Sequence, residues 1–169
     1  LHNVENALAA MAACRSLGIA LEALVAPLKT FQGVGRRFQV LGARNGVTVV
    51  DDFGHNPAKI AASLRTARLR APRILAVFQP HGFGPLRFLR ADLAEVFAAE
   101  LRAEDRLWLL EAHYAGGTAI RDISSRDLVA DLLARNCHAR FAETREALVE
   151  DLAAQARPGD LLLVMGARD

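Results

Sequence analysis

Two carboxylates, a glycine turn and a histidine follow one another in Val49-Val50-Asp51-Asp52-Phe53-Gly54-His55-Asn56-Pro57. Carboxylate and imidazole close together supply general acid/base chemistry or ligand contacts. Asn56 and Pro57 read as the N-cap and first position of a helix, so the chemistry sits on the short loop between a strand and that helix. Histidine recurs in equivalent places. The apolar run 73–78 ends in Gln79-Pro80-His81-Gly82, and the run 106–110 ends in Glu111-Ala112-His113-Tyr114. A fourth run, 161–165, ends in Gly166-Ala167-Arg168-Asp169. In an open α/β sheet, ligands bind beyond the carboxyl ends of the strands. Four strands side by side would bring these loops onto one rim.

Alternating elements must hold those loops. Predicted strands lie at 73–78, 106–110, 138–141 and 161–165, and predicted helices at 57–68, 86–101, 125–135 and 144–155. That alternation specifies an α/β, Rossmann-like, mostly parallel sheet with helices on both faces. Residues 37–41 and 47–50 flank Asn45-Gly46 and read as an antiparallel edge hairpin with a loop somewhat longer than two residues. Upstream, Asn3 reads as the N-cap of an amphipathic helix with Val4, Leu8, Met11 and Leu17 on its apolar side. A second helical stretch groups Leu21, Leu24, Val25, Leu28 and Phe31, and Pro27 predicts a kink or a new helix start. Gln32-Gly33-Val34-Gly35 is a linker by composition and separates residues 1–35 from 36–169.

Composition excludes several classes. The 169 residues suffice for one domain, or one domain plus a fragment of another. Net charge is +2, Lys29 and Lys59 are the only lysines, and the arginines are scattered, so no nucleic-acid partner is expected. No apolar run reaches bilayer length and no basic-then-apolar leader opens the chain, so membrane insertion is not expected. Two cysteines, Cys14 and Cys137, fit the reduced thiols of a cytoplasmic protein. The chain begins without Met and stops abruptly, as a piece of a longer protein would.

Other motifs narrow the chemistry. Gly33-Val34-Gly35 lacks a third glycine and precedes a strand, so it is a poor dinucleotide fingerprint, and the chain has no P-loop. Without a Gly-x-Ser-x-Gly, Ser124 and Ser125 read as loop or cap residues. His55, His81 and His113 are too widely spaced for the close ligand pairs of a zinc site, and no metal site is expected. Asp51 and Asp52 fit either helix capping or ligand contact. Arg36 and Arg37 fit either solvated surface or a phosphate clamp.

Six segments, in order and along the whole chain, resemble the Mur ligase family of ATP-dependent peptidoglycan-precursor ligases. They are His2-Asn3-x-x-Asn6-Ala7-x-Ala9-Ala10, Phe31 to Phe38, Asp51 to Pro57, Phe78-Gln79-Pro80-His81, Tyr114-Ala115-Gly116-Gly117 and Gly159 to Ala167. The most similar branch joins L-alanine to UDP-N-acetylmuramate. The resemblance implies three domains: one for the UDP-sugar, a central P-loop ATPase, and a Rossmann-like third that brings the incoming amino acid. Residues 1–35 would be the helical end of the central ATP-binding domain and 36–169 the third domain. The P-loop and the family's modified lysine would lie upstream.

By the same resemblance His2, Asn3 and Asn6 match positions that approach adenine, Arg37 the arginine that reaches the ATP phosphates, and Asp52 the acid near the ribose. Arg37, His55 and His81 are the implied catalytic residues; Phe53, His81 and Arg87 are implied at the substrate. ATP and Mg²⁺ are the implied cofactors. UDP-N-acetylmuramate, an amino acid or short peptide, and the chain's own upstream domains are the implied partners. The chemistry would be activation of a carboxylate to an acyl phosphate and attack by an amine, with the isolated fragment inactive.

Several residues depart from the family pattern. Gly82 and Pro85 stand where two basic residues are usual, Phe53 where Tyr is usual, Asn56 where a second His is usual, and Thr118 where an acid is common. An amino-acid carboxylate needs a cationic partner in a desolvated site, which Arg87 would supply. Two other readings stay open: a ligase that adds a murein tripeptide to the same sugar, for which Gly82 and Gly84 leave room, and a relative that binds a nucleotide or partner without catalysis.

Overall fold

The structure, a computed structural model, describes residues 2–114 and 116–166, with the side chains of residues 2 and 3 left aside. The chain forms two compact units, Leu1–Gly35 and Arg36–Asp169. No helix among the described residues is long and apolar enough to cross a membrane.

The first unit is a helix pair, α1 (His2–Ser16) and α2 (Leu21–Thr30). Because α1 already includes His2, Asn3 lies in its first turn and is not the N-cap the sequence suggests. Leu17 falls beyond α1, Val4 and Leu8 stay exposed, and α2 buries no residue, so the expected apolar stripes are not covered. Two short helices have too little surface to build a core. Helix α2 continues through Pro27, and no new helix starts there; the missing N–H removes only the bond to the Ala23 carbonyl.

The second unit is built on one six-stranded sheet in the order β1-β2-β6-β3-β4-β5. Its strands are β1 (Gln39–Arg44), β2 (Val47–Asp52), β3 (Ile74–Gln79), β4 (Arg106–Leu109), β5 (Ala139–Phe141) and β6 (Leu161–Gly166). Only the β1–β2 pair is antiparallel. The helices are α3 (Pro57–Arg68), α4 (Phe83–Glu100), α5 (Ser125–Leu133) and α6 (Arg145–Gln155). Period-two alternation sorts the two faces. Ile74, Ala76 and Phe78 pack with Leu161, Leu163 and Met165 against Leu64 of α3, Phe97 of α4 and Leu128 of α5. Leu75, Val77 and Trp108 pack on the opposite face with Leu148 and Leu152 of α6. Helices therefore cover both faces, and β3, apolar on both sides, is buried as a central parallel strand must be.

Most boundaries shift by one or two residues, and three differences change the local structure. Strand β1 runs from Gln39 to Arg44, so Asn45-Gly46 is a two-residue turn with both φ angles positive, at 51° and 77°. Arg36 to Phe38 are not strand. They form a turn in which the Phe53 N–H donates to the Arg36 carbonyl at 2.7 Å. Helix α4 begins at Phe83, because Pro85 sits in the first turn, where no helical N–H bond is lost.

Candidate active site

The register sets four strand ends level. Asp52 pairs with Met165, Met165 with Phe78, and Phe78 with Leu109. The loops beyond them share one rim, as the spacing of the apolar runs implies. The Pro80 carbonyl accepts from the His113 N–H at 2.9 Å, and the Gln79 side-chain amide donates to the Glu111 carbonyl at 3.0 Å. The Arg36 guanidinium bridges two strand ends, donating to Asp51 at 3.1 Å and to the Gly166 carbonyl at 3.0 Å.

Asp51 and Asp52 part company because successive strand residues face opposite ways. Asp51 meets Arg36 at the surface. Asp52 is only 7% exposed, and both of its oxygens are engaged inside the domain. One accepts from the Ser63 hydroxyl and the other from the Phe38 N–H, each at 2.7 Å. Asp52 thus ties the turn before β1 to α3. Gly54 permits this: a Cβ there would lie 2.8 Å from the Asp52 oxygen. In this structure the carboxylate expected near a ribose serves as an internal brace.

Phe53 is the platform of the β2 side. The guanidinium carbons of Arg36 and Arg37 stand 5.2 and 5.3 Å from its ring centre, within cation–π range. Arg36 is held by Asp51, whereas Arg37 is exposed and makes no ion pair among the described residues. His55 packs edge-on to Phe53 at 5.2 Å, and its Nδ1 lies 3.0 Å from the Phe53 carbonyl. A carbonyl only accepts, so Nδ1 carries the proton and Nε2 of the neutral ring is the acceptor. The His81 ring lies 6.2 Å from that of His55, which places two imidazoles, an aromatic ring and an arginine together. Asn56 caps α3, accepting from the Lys59 N–H at 3.1 Å. The structure thus brings Arg37, Phe53, His55 and His81 onto one rim.

Arg87 lies outside that group. Its guanidinium is engaged by Asp122 and by the Ile120 carbonyl at 3.2 Å, and this pairing holds Asp122 below the usual carboxylate range. His2, Asn3 and Asn6 lie on α1 of the first unit. Among the described residues no set of three His, Cys, Asp or Glu is placed to hold a metal ion.

Two residues that sequence reasoning missed shape the β4 side. Burial pushes the Glu111 carboxyl up. Hydrogen bonds from the Ser124 hydroxyl at 2.6 Å, the Ser125 N–H at 2.9 Å and the Ala112 N–H at 2.8 Å outweigh burial and hold it below its ordinary value. Glu111 thereby anchors the start of α5 to the end of β4. Arg121 lies with its guanidinium carbon 3.5 Å from the Tyr114 ring centre and 6.0 Å from that of Phe83. Both contacts cross a loop without apolar periodicity, so local pattern carries no sign of them.

A mostly parallel sheet with arginine, aromatic and imidazole groups at the carboxyl ends of its strands defines a Rossmann-like ligand-binding domain. The chain belongs to the Mur ligase family: the model described as Mur ligase, glutamate ligase domain, matches residues 36–168. It is 42% identical over 168 residues to a UDP-N-acetylmuramate–L-alanine ligase of Cereibacter sphaeroides, covering 98% of this chain and 35% of that one. It is 38% identical over 170 residues to the enzyme of that name from Pelotomaculum thermopropionicum, covering 99% and 36%. The crystal structure of the UDP-N-acetylmuramate–alanine ligase of Thermotoga maritima superposes with a TM-score of 0.76 at 26% identity, over 100% of this chain and 35% of that one. The chain thus spans about a third of the length of these relatives.

Proposed function

We propose that this chain is the C-terminal part of a cytoplasmic ATP-dependent ligase that joins an amino acid, L-alanine foremost, to UDP-N-acetylmuramate in peptidoglycan precursor synthesis. The observation that carries the reading is the rim itself: Arg37 over Phe53, with His55 and His81 beside it, where four parallel strands end. Curated relatives named for this reaction, matched along nearly the whole chain, support the choice of substrates.

Each residue has a part in this reading. Arg37, exposed and, among the described residues, held by its aromatic contact, takes phosphate oxygens of ATP and offsets charge that builds during phosphoryl transfer. His55 presents Nε2 to a polar group of the nucleotide or the amine, and His81 and Phe53 line the amino-acid end. Asp52 acts through Phe38 and Ser63, fixing the turn that carries Arg37. His2, Asn3 and Asn6, in the first turns of α1, are assigned to adenine. Mg²⁺ would be held by the nucleotide and by upstream residues. ATP supplies the activation of the sugar's carboxylate for attack by the amine.

The test is ADP release by the complete parent protein with ATP, Mg²⁺ and UDP-N-acetylmuramate. L-Alanine is compared with L-Ala-γ-D-Glu-meso-diaminopimelate and other amino acids. Release with L-alanine is expected. Release only with the tripeptide would reassign the acceptor, and no release with any of these acceptors would refute the ligase reading.

A further inference from the structure

An amino acid joined through its amine keeps its carboxylate, and a carboxylate taken out of water needs a cation beside it. Resting on the reading above, we propose that Arg121 is that cation and sets specificity for a free amino acid. The segment from Gln79 to Leu86, which carries His81, holds no Arg or Lys. Of the nearby arginines, Arg36 is engaged by Asp51 and Gly166, Arg37 stands over Phe53 at the end of β2, and Arg87 is taken by Asp122. Arg121 makes no ion pair among the described residues and is exposed.

Its position is built rather than incidental. Phe83, two residues beyond His81, is buried, and its ring centre lies 6.4 Å from that of Tyr114. The Tyr114 hydroxyl donates to the Gly117 carbonyl at 2.9 Å, which steadies the ring. The His113 N–H bond to Pro80 ties the start of this loop to the His81 turn. A guanidinium lying 3.5 Å over Tyr114 uses its face on the ring and keeps its N–H fork for two parallel bonds to a carboxylate. Asp122, the neighbouring acid, is engaged by Arg87 and so does not neutralise Arg121.

The experiment uses the complete parent protein and compares L-alanine with L-alaninamide, which keeps the amine and lacks the carboxylate. Arg121→Gln should raise KM for L-alanine by about 10- to 100-fold, the size of lost hydrogen bonds to a charged group. The KM values for ATP and UDP-N-acetylmuramate should stay unchanged, and the preference for L-alanine over its amide should shrink by the same factor. Arg121→Lys, which keeps the charge without the fork, should recover part of the loss. An active wild type whose Arg121→Gln variant keeps its KM for L-alanine overturns the proposal alone. Equal losses for acid and amide do the same, since a merely structural role predicts that pattern. A wild type that ligates no free amino acid removes the functional reading and this proposal with it.

Discussion

Removing the Asp52 carboxylate should cost more stability than any other single change at the rim. Asp52→Ala deletes two 2.7 Å hydrogen bonds and leaves the Phe38 N–H and the Ser63 hydroxyl facing a cavity. Hydrogen bonds to charged groups contribute about 1.5–3 kcal/mol each, so the loss is roughly 3–6 kcal/mol. Domains of this kind hold a total of about 5–15 kcal/mol, so the variant gives up a large share. At roughly 3 °C per kcal/mol, the melting temperature should fall by about 9–18 °C. Urea unfolding of the 169-residue chain, followed by circular dichroism, measures the cost. Ser63→Ala alone should cost about 1–2 kcal/mol, and the double variant should fall short of the sum because both changes remove one bond. An Asp52→Ala midpoint within about 0.5 kcal/mol of wild type, the scale of ordinary surface changes, would refute the brace. If ligation by the complete protein were lost at the same time, the carboxylate would have to work on a ligand.

Three further outcomes are expected. Arg37→Ala in the complete protein should lower kcat by about 10²–10³-fold, as loss of a charge-stabilising donor does, with an unchanged thermal midpoint because the side chain is exposed. Gly54→Ala should destabilise the 169-residue chain by about 1–3 kcal/mol in a urea titration, because the added Cβ presses on the Asp52 oxygen. Glu111 titrates below its ordinary value in the folded state, so its contribution is complete above about pH 4.3 and disappears as pH falls through the lower folded value. Glu111→Gln should therefore be less stable than wild type at neutral pH, and the two urea midpoints should converge on acidification.

Much of the frame was legible because it is written in local pattern. Apolar runs punctuated by glycine mark the parallel strands, Asn56-Pro57 marks the start of α3, and the shared rim follows from strands that run the same way. The inward turn of Asp52 was not legible. Residues 47–50 are apolar enough to suit either face, so alternation cannot say which of two adjacent acids shares the buried side of Val50. The hairpin loop was read too long because Gly42 and a bulge beside it interrupt the pattern of β1. The Glu111 and Arg121 contacts depend on loops that meet only after the sheet has formed, and Arg87 is claimed by an acid 35 positions away.

The order of strands also bears on how the domain is made. Strand β6 comes last in the chain yet lies between β2 and β3. Until residues 161–166 leave the ribosome, β2 and β3 each present an open hydrogen-bonding edge, and the hairpin has no partner in the rest of the sheet. Such edges invite pairing with other chains, and closing them requires a contact of long sequence separation, which slows folding. Completion of this domain therefore waits until residues 161–166 have been made. A nascent chain halted at Pro158 would hold two separate half-sheets, making it a natural client for chaperones.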